Sequence, residues 1–212
     1  MKKSQVSFPV FRKTVGSVAL LLFTFGCGVE EVDTQAVAAQ DTSSTQLTAS
    51  VGTPIPLPFD NQFPDRWNAA NNGSPYEPCV AFSDQELVEF EIDPAAIEDA
   101  AIVNGQGVRG CRWLMPARFS ISNLVTNSSS LKAYRSGTSE NNWLPDLNVK
   151  GRVVGLFNTN HGRSSTCSTY VQSYSAGVVT NVVTSTSDEG QKIDACKLVV
   201  DFTRAYIDKI PG

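Results

Sequence analysis

The stretch that decides the fold is Cys167–Thr186, "CSTYVQSYSAGVVTNVVTST". Two runs rich in Val, Thr and Tyr flank the short segment Ser175-Ala176-Gly177. β-branched and aromatic residues on both sides of a small-residue break are the signature of a β-hairpin. Neighbouring segments continue the pattern. "RFSISNLVT" sets Phe119 and Ile121 against Ser120 and Ser122. "GCRWLM" puts Cys111 and Trp113 on one face of a strand and Arg112 on the other. In "NVKGRVVGLFN", Val149, Val153 and Phe157 are in phase, and Gly151 and Gly155 mark bends or close backbone approach.

Helix signals bracket these strands. Ser83 followed by Glu86 is a capping box, with Phe82 and Leu87 placed as a hydrophobic staple. Asp93-Pro94 is a second start, predicting one or two helical turns over Ala95–Ile102. "SLKAYRSG" reads as a short helix. Near the end, Ala195, Val199, Phe202, Tyr206 and Ile210 recur at helical spacing, which predicts one long helix from about Gln191 to Ile210, stopped by Pro211. Helices at both ends and strands between them predict an α+β domain, an antiparallel sheet with packed helices.

Upstream, the sequence changes character. Lys2, Lys3, Arg12 and Lys13 precede an apolar run, Val15–Gly26, with no acid before Glu30. Twelve apolar residues are too few to span a bilayer, which takes about 20, and they fit the apolar region of an export signal. Thr24-Phe25-Gly26-Cys27 resembles a bacterial lipobox, in which a small residue precedes a cysteine that is acylated and becomes the new N-terminus. Gly26 matches; Thr24 and Phe25 stand where Leu and a smaller residue are usual. Three segments follow: a lipoprotein signal peptide at 1–26, a disordered polar and Pro-containing tether at 27–74, and the α+β domain at 75–212. Within the tether, Phe63 and Trp67 read as packing residues.

Removing residues 1–26 leaves 13 basic residues against 21 acidic ones, a formal charge of −8. Such a chain lacks the basic patch that neutralises phosphates, so nucleic acid is not an expected partner. The expected membrane link is the lipid on Cys27.

There are five cysteines. With Cys27 acylated, Cys79, Cys111, Cys167 and Cys196 remain for two disulfides in one of three connectivities. The preferred one is Cys79–Cys111 with Cys167–Cys196, each joining neighbouring elements. No closely spaced cysteine pair suggests zinc.

The chemistry-bearing residues are few. His161 is the one histidine. A serine hydrolase would need it beside Ser164 or Ser165, and no G-x-S-x-G occurs. The carboxylates Asp84, Glu86, Glu89, Glu91, Asp93, Glu98 and Asp99 match no calcium-loop spacing and read as caps and solvated faces. Trp113 reads as packing on a disulfide rather than as the floor of a ligand site. "NGQGVRG" lacks the context of a phosphate loop. No catalytic residue, cofactor or metal is expected.

Pro78-Cys79 with Ser83, Cys111-Arg112-Trp113, Cys167 opening a hairpin, and Asp194-Ala195-Cys196 in a terminal helix ending Ile210-Pro211 together resemble an actinobacterial lipoprotein family, domain of unknown function 3558. The similarity covers roughly residues 75–212 and the lipoprotein signal. Val199 stands where the family carries a small residue. The resemblance implies a small cell-envelope lipoprotein on the extracytoplasmic face of the cell membrane, without an assigned activity. The expected role is a non-catalytic binding or sensor-like module, its partner an envelope protein or small-molecule ligand. The alternative is a structural or accessory lipoprotein; a hydrolase built on His161 is the least supported.

Overall fold

The computed structural model describes residues 55–159 and 165–212. In chain order it contains α1 (Asp84–Val88), β1 (Ile97–Asp99), β2 (Val108–Met115), β3 (Phe119–Asn127), α2 (Leu131–Gly137), β4 (Asn142–Val149), β5 (Arg152–Asn158), β6 (Thr166–Ser173), β7 (Ala176–Thr184), α3 (Asp188–Gln191) and α4 (Ala195–Tyr206). The strands form one seven-stranded sheet in the order β1-β2-β3-β7-β6-β5-β4, antiparallel throughout. The α+β expectation is met.

Strand alternation assigns the two faces. On one, Cys111, Trp113, Ile121, Cys167 and Val182 are at most 1% exposed, and α4 crosses β6 and β7 above them. The stripe Ala195, Val199, Phe202 and Tyr206 supplies its buried side. Thr203 of α4 and Thr169 of β6 share a buried hydroxyl–hydroxyl hydrogen bond of 2.7 Å. Phe82, just before α1, enters the same core and lies 5.0 Å from Phe202 and 6.2 Å from Trp113 between ring centres. Both disulfides lie on this side: Cys79–Cys111 and Cys167–Cys196, separated by 32 and 29 residues. Each contributes on the order of 3–4 kcal/mol through lost freedom of the unfolded chain. Cys167–Cys196 ties β6 to α4.

The opposite face is half covered. There α2 lays Leu131 and Tyr134 over Phe157, Tyr170 and Val179, with Tyr134 stacked on Tyr170 at 4.7 Å. Gly155 makes room: a Cβ there would lie 2.5 Å from Leu131 Cδ1. Among the described residues no helix covers Arg112, Leu114 and Val183 further across the sheet, and they are exposed.

Several boundaries differ from expectation. Ala95–Ile102 is not helical beyond one 3-10 turn, Pro94–Ala96; the chain then pairs as β1. The Asp93 cap is present, accepting from the Ala95 N–H at 2.9 Å, but β2 offers a ladder that the following residues join. The terminal helix starts later, at Ala195, where Asp194 accepts from the Lys197 N–H. A separate short helix, α3, precedes it, and a 3-10 turn, Ile207–Lys209, follows. The hairpin turn is Tyr174-Ser175, since Ser173 already pairs with Ala176. Val149 and Val153 lie on different strands of a tight hairpin. Lys150 and Gly151 between them both have positive φ (49° and 82°), the turn geometry that matches strand twist. Val153 is therefore 58% exposed while Val149 is buried. Finally β4 is a strand despite Pro145. It sits at the sheet edge, with a register shift between Leu144 and Leu147, where a residue without an N–H is tolerated.

The capping box forms as read. Ser83 Oγ accepts from the Glu86 N–H, and Glu86 Oε2 accepts from the Ser83 N–H at 2.8 Å. That bond, aided by Lys209, holds the Glu86 carboxyl below its ordinary value. A depressed carboxyl stabilises the fold above its unfolded-state value and loses that contribution as pH falls through the folded-state value. Glu86→Gln is therefore expected to lower the urea midpoint at neutral pH and to leave it unchanged near about pH 2; an equal loss at both would contradict the assignment.

Candidate functional site

Arg109 shares the inward phase of Cys111 and Trp113 on β2 and is 0% exposed. A buried guanidinium needs an acid and enough acceptors, or the fold bears the full cost of its desolvation. The segment before α1 supplies both. Arg109 Nη1 donates to Glu77 Oε2 at 3.2 Å and to the Tyr76 carbonyl at 2.7 Å; Nη2 donates to the Ser74 carbonyl at 2.7 Å and Nε to the Asn71 carbonyl at 3.1 Å. The Trp67 ring lies 3.6 Å from its Cζ, a cation–π contact out of water.

Glu77, itself 5% exposed, is held from the other side by Arg66. Arg66 Nη1 and Nη2 grip its two oxygens at 2.9 and 3.1 Å. Arg66 Nε reaches both oxygens of Asp99 at the end of β1 (3.2 and 3.1 Å), and Nη2 reaches the Gly110 carbonyl. Two guanidinium groups and two carboxylates thus cancel. Burial pulls Arg109 down to about 10, Glu77 opposing and Arg66 adding to the fall; it stays charged at neutral pH. Burial acts the same way on Arg66, but Glu77 and Asp99 outweigh it and the net shift is upward. Gly110 permits the arrangement: its φ is +148°, and a Cβ would sit 2.1 Å from the Asn123 carbonyl oxygen.

The strap formed by residues 55–78 therefore packs as part of the domain. Arg66, Asn71 and Ser74 are at most 4% exposed, although the sequence reading places them in the tether. Trp67 does pack, on Arg109.

A cleft of about 300 Å³ lies between the strap and this network, lined by Ile55, Leu57, Phe59, Pro64, Trp67 and the edges of Arg66 and Glu77. Its walls are mostly apolar, with Asn61 also on the lining, and its charged groups are already paired. Such a cleft can hold an apolar group; it offers no free acid or base for proton transfer. A second cleft, of about 270 Å³, opens between the end of α1, the β2–β3 turn and the start of α4. Phe90, Phe119 and Leu198 line it together with Glu89, Glu91, Arg118 and Asp201.

The residues singled out from sequence do not converge. The carboxylate run is dispersed: Glu86 and Asp93 cap, while Glu91, Glu98 and Asp99 pair with Arg118, Arg112 and Arg66. No group of His, Cys, Asp and Glu among the described residues could hold a metal. Trp113 is 1% exposed and packs in the core beside Cys79 and Cys111. Ser165 accepts from the Thr184 N–H through its carbonyl at 2.8 Å. Cys27, His161 and Ser164 lie outside the described residues. Among the described residues no helix is long and apolar enough to cross a membrane. The network of Arg66, Glu77, Asp99 and Arg109 is absent from the sequence reading, though one signal was present: a strand that turns Cys111 and Trp113 inward turns Arg109 inward too.

A family model described as a protein of unknown function (DUF3558) matches residues 22–209. No curated protein and no solved structure matches the chain.

Glu77→Gln leaves two buried guanidinium groups short of charge and is expected to cost about 3–5 kcal/mol in chemical unfolding. Glu98→Gln, at the exposed Arg112 pair, should cost at most about 1 kcal/mol. Equal losses would contradict the burial argument.

Proposed function

We propose that this chain, which belongs to the DUF3558 family, is an exported lipoprotein whose domain works by binding rather than catalysis, on the extracytoplasmic face of the cell membrane. The observation that carries the reading is the use of cysteine. All four downstream cysteines are consumed in two disulfides, bonds that persist in oxidising compartments. That leaves Cys27, directly after the basic and apolar signal, as the acceptor of the lipid.

The strap cleft is the binding site in this proposal. Its occupant is a small apolar ligand or an apolar side chain of an envelope protein, because the walls are mostly aliphatic and aromatic and the adjacent charges neutralise one another. The second reading, an accessory lipoprotein acting through protein contacts, is favoured by the uncovered half of the sheet with Arg112, Leu114 and Val183 exposed. In-cell crosslinking separates the two: Leu57→Asp removes the captured species if the cleft binds it, and Val183→Asp removes it if the sheet face does.

The anchor is tested by mass spectrometry of the N-terminal peptide from membranes. The expected product begins at Cys27 and carries acyl chains, and Cys27→Ser abolishes it. An unmodified Cys27 or a water-soluble product cleaved elsewhere would refute the anchor.

A further inference from the structure

One end of the sheet gathers most of the strongly exposed apolar side chains. Register fixes that end: Val108 opposes Thr126, Thr126 opposes Gly177, and Gly177 opposes Gln172. The loop 100–107, the turn Tyr174-Ser175 and the first residues of β5 therefore lie side by side. Among the described residues, five large hydrophobics are more than half exposed and four are here: Ile102 at 78%, Val103 at 56%, Val153 at 58% and Tyr174 at 59%. The fifth, Val88, is on α1. Ile102 and Val103 in the loop 100–107, Tyr174 in its turn and Val153 at the start of β5, with Lys150, paired with Asp208, in the adjacent turn, have the composition of residues that settle into a lipid interface. They come from three separate segments, the loop 100–107, the Tyr174-Ser175 turn and β5.

The strap runs along this same end. Asp65 exchanges hydrogen bonds with Asn104 in the loop 100–107 (2.8 and 2.7 Å). Gly73 donates to Asn127 Oδ1 at the end of β3, and its carbonyl accepts from the Ser175 N–H. The strap at Asp65 and Gly73 thus borders the apolar tips, and 27 residues separate the start of the described chain, Ile55, from Cys27.

We propose that this end of the sheet is a membrane-facing surface, with Ile102, Val103 and Tyr174 entering the interfacial layer of a phospholipid bilayer. The proposal rests on the anchored reading above and adds an orientation to it: the domain lies against the bilayer by its loop end and turns the Met115–Phe119 end away.

The test uses the full chain purified from membranes and placed on phosphatidylcholine vesicles with brominated acyl chains. Val103→Trp and Tyr174→Trp each add an indole at the tips. Leu114→Trp adds one to an exposed site about 20 Å further along β2. The expected result is loss of the added emission at 103 and 174 and none at 114, with Ile102→Asp relieving the quenching of Val103→Trp. A vesicle-bound protein whose tip indoles are quenched no more than the one at 114 overturns the orientation and leaves the anchor intact. A tip indole that is unquenched by lipid but shifts to shorter wavelength with protein concentration assigns the tips to a second copy and likewise overturns it. Quenching in a product that carries no acyl chain keeps the surface and refutes the anchor. Neither acylation nor quenching refutes both.

Discussion

The Glu77 carboxylate, gripped by Arg66 on one side and Arg109 on the other, is the constraint on which the rest of the structure depends. Arg109 arrives at the interior face because β2 must turn Cys111 and Trp113 inward. Once there it must be neutralised, and the segment before α1 does this. Four backbone and side-chain acceptors come from Asn71, Ser74, Tyr76 and Glu77, so the strap is folded by what Arg109 lacks. Arg66 then closes the set by tying Glu77 to Asp99 of β1. Burying charge in this way is weak grounds for added stability, because desolvation offsets much of the attraction. What it gives is a definite path for the chain: a strap that leaves this path strands two charges.

That path positions the apolar structure. Glu77 lies two residues before Cys79, and the turn between them delivers Cys79 to Cys111. Phe82 then falls among Phe202, Tyr206 and Trp113, so one end of the chain meets α4, the other. Cys167–Cys196 closes the same core from the far side. The two disulfides and the ion network thus secure one face of the sheet at three places. The opposite face carries α2 on half its width and, among the described residues, no helix on the remainder. A domain built this way has its rigidity on the helix side, and its free surfaces are the uncovered half-sheet, the clefts and the loop ends.

The sequence displayed what is amphipathic and hid what is polar and buried. β3 and the β6–β7 hairpin alternate cleanly, and the α4 stripe from Ala195 to Tyr206 is periodic, so these were legible. So were the Ser83 and Asp93 caps, which are local chemistry, and both disulfides as the preferred connectivity. Arg66, Asn71 and Ser74 have the composition of a linker; only their partners, 44 residues away for Arg66 and Gly110 and 99 for Ser74 and Ser173, reveal them as interior. β4 was hidden by Pro145, whose tolerance depends on being at an edge. β1 was hidden behind a genuine helix start whose continuation lost to a ladder with β2. Of the candidate site, Trp67 was read as packing, but the cleft it helps to line consists of strap residues whose fold is set by tertiary pairing.

Residues 55–74 hold part of the domain together rather than serving as tether. The direct measurement is the urea midpoint of two chains with both disulfides intact, one spanning 55–212 and the other 75–212. A cooperative transition is expected for the longer chain. The shorter one should unfold at markedly lower urea, or not fold, because it retains Arg109, Glu77 and Asp99 without Arg66 and without the Asn71 and Ser74 carbonyls. Equal midpoints would contradict it and return the strap to the tether.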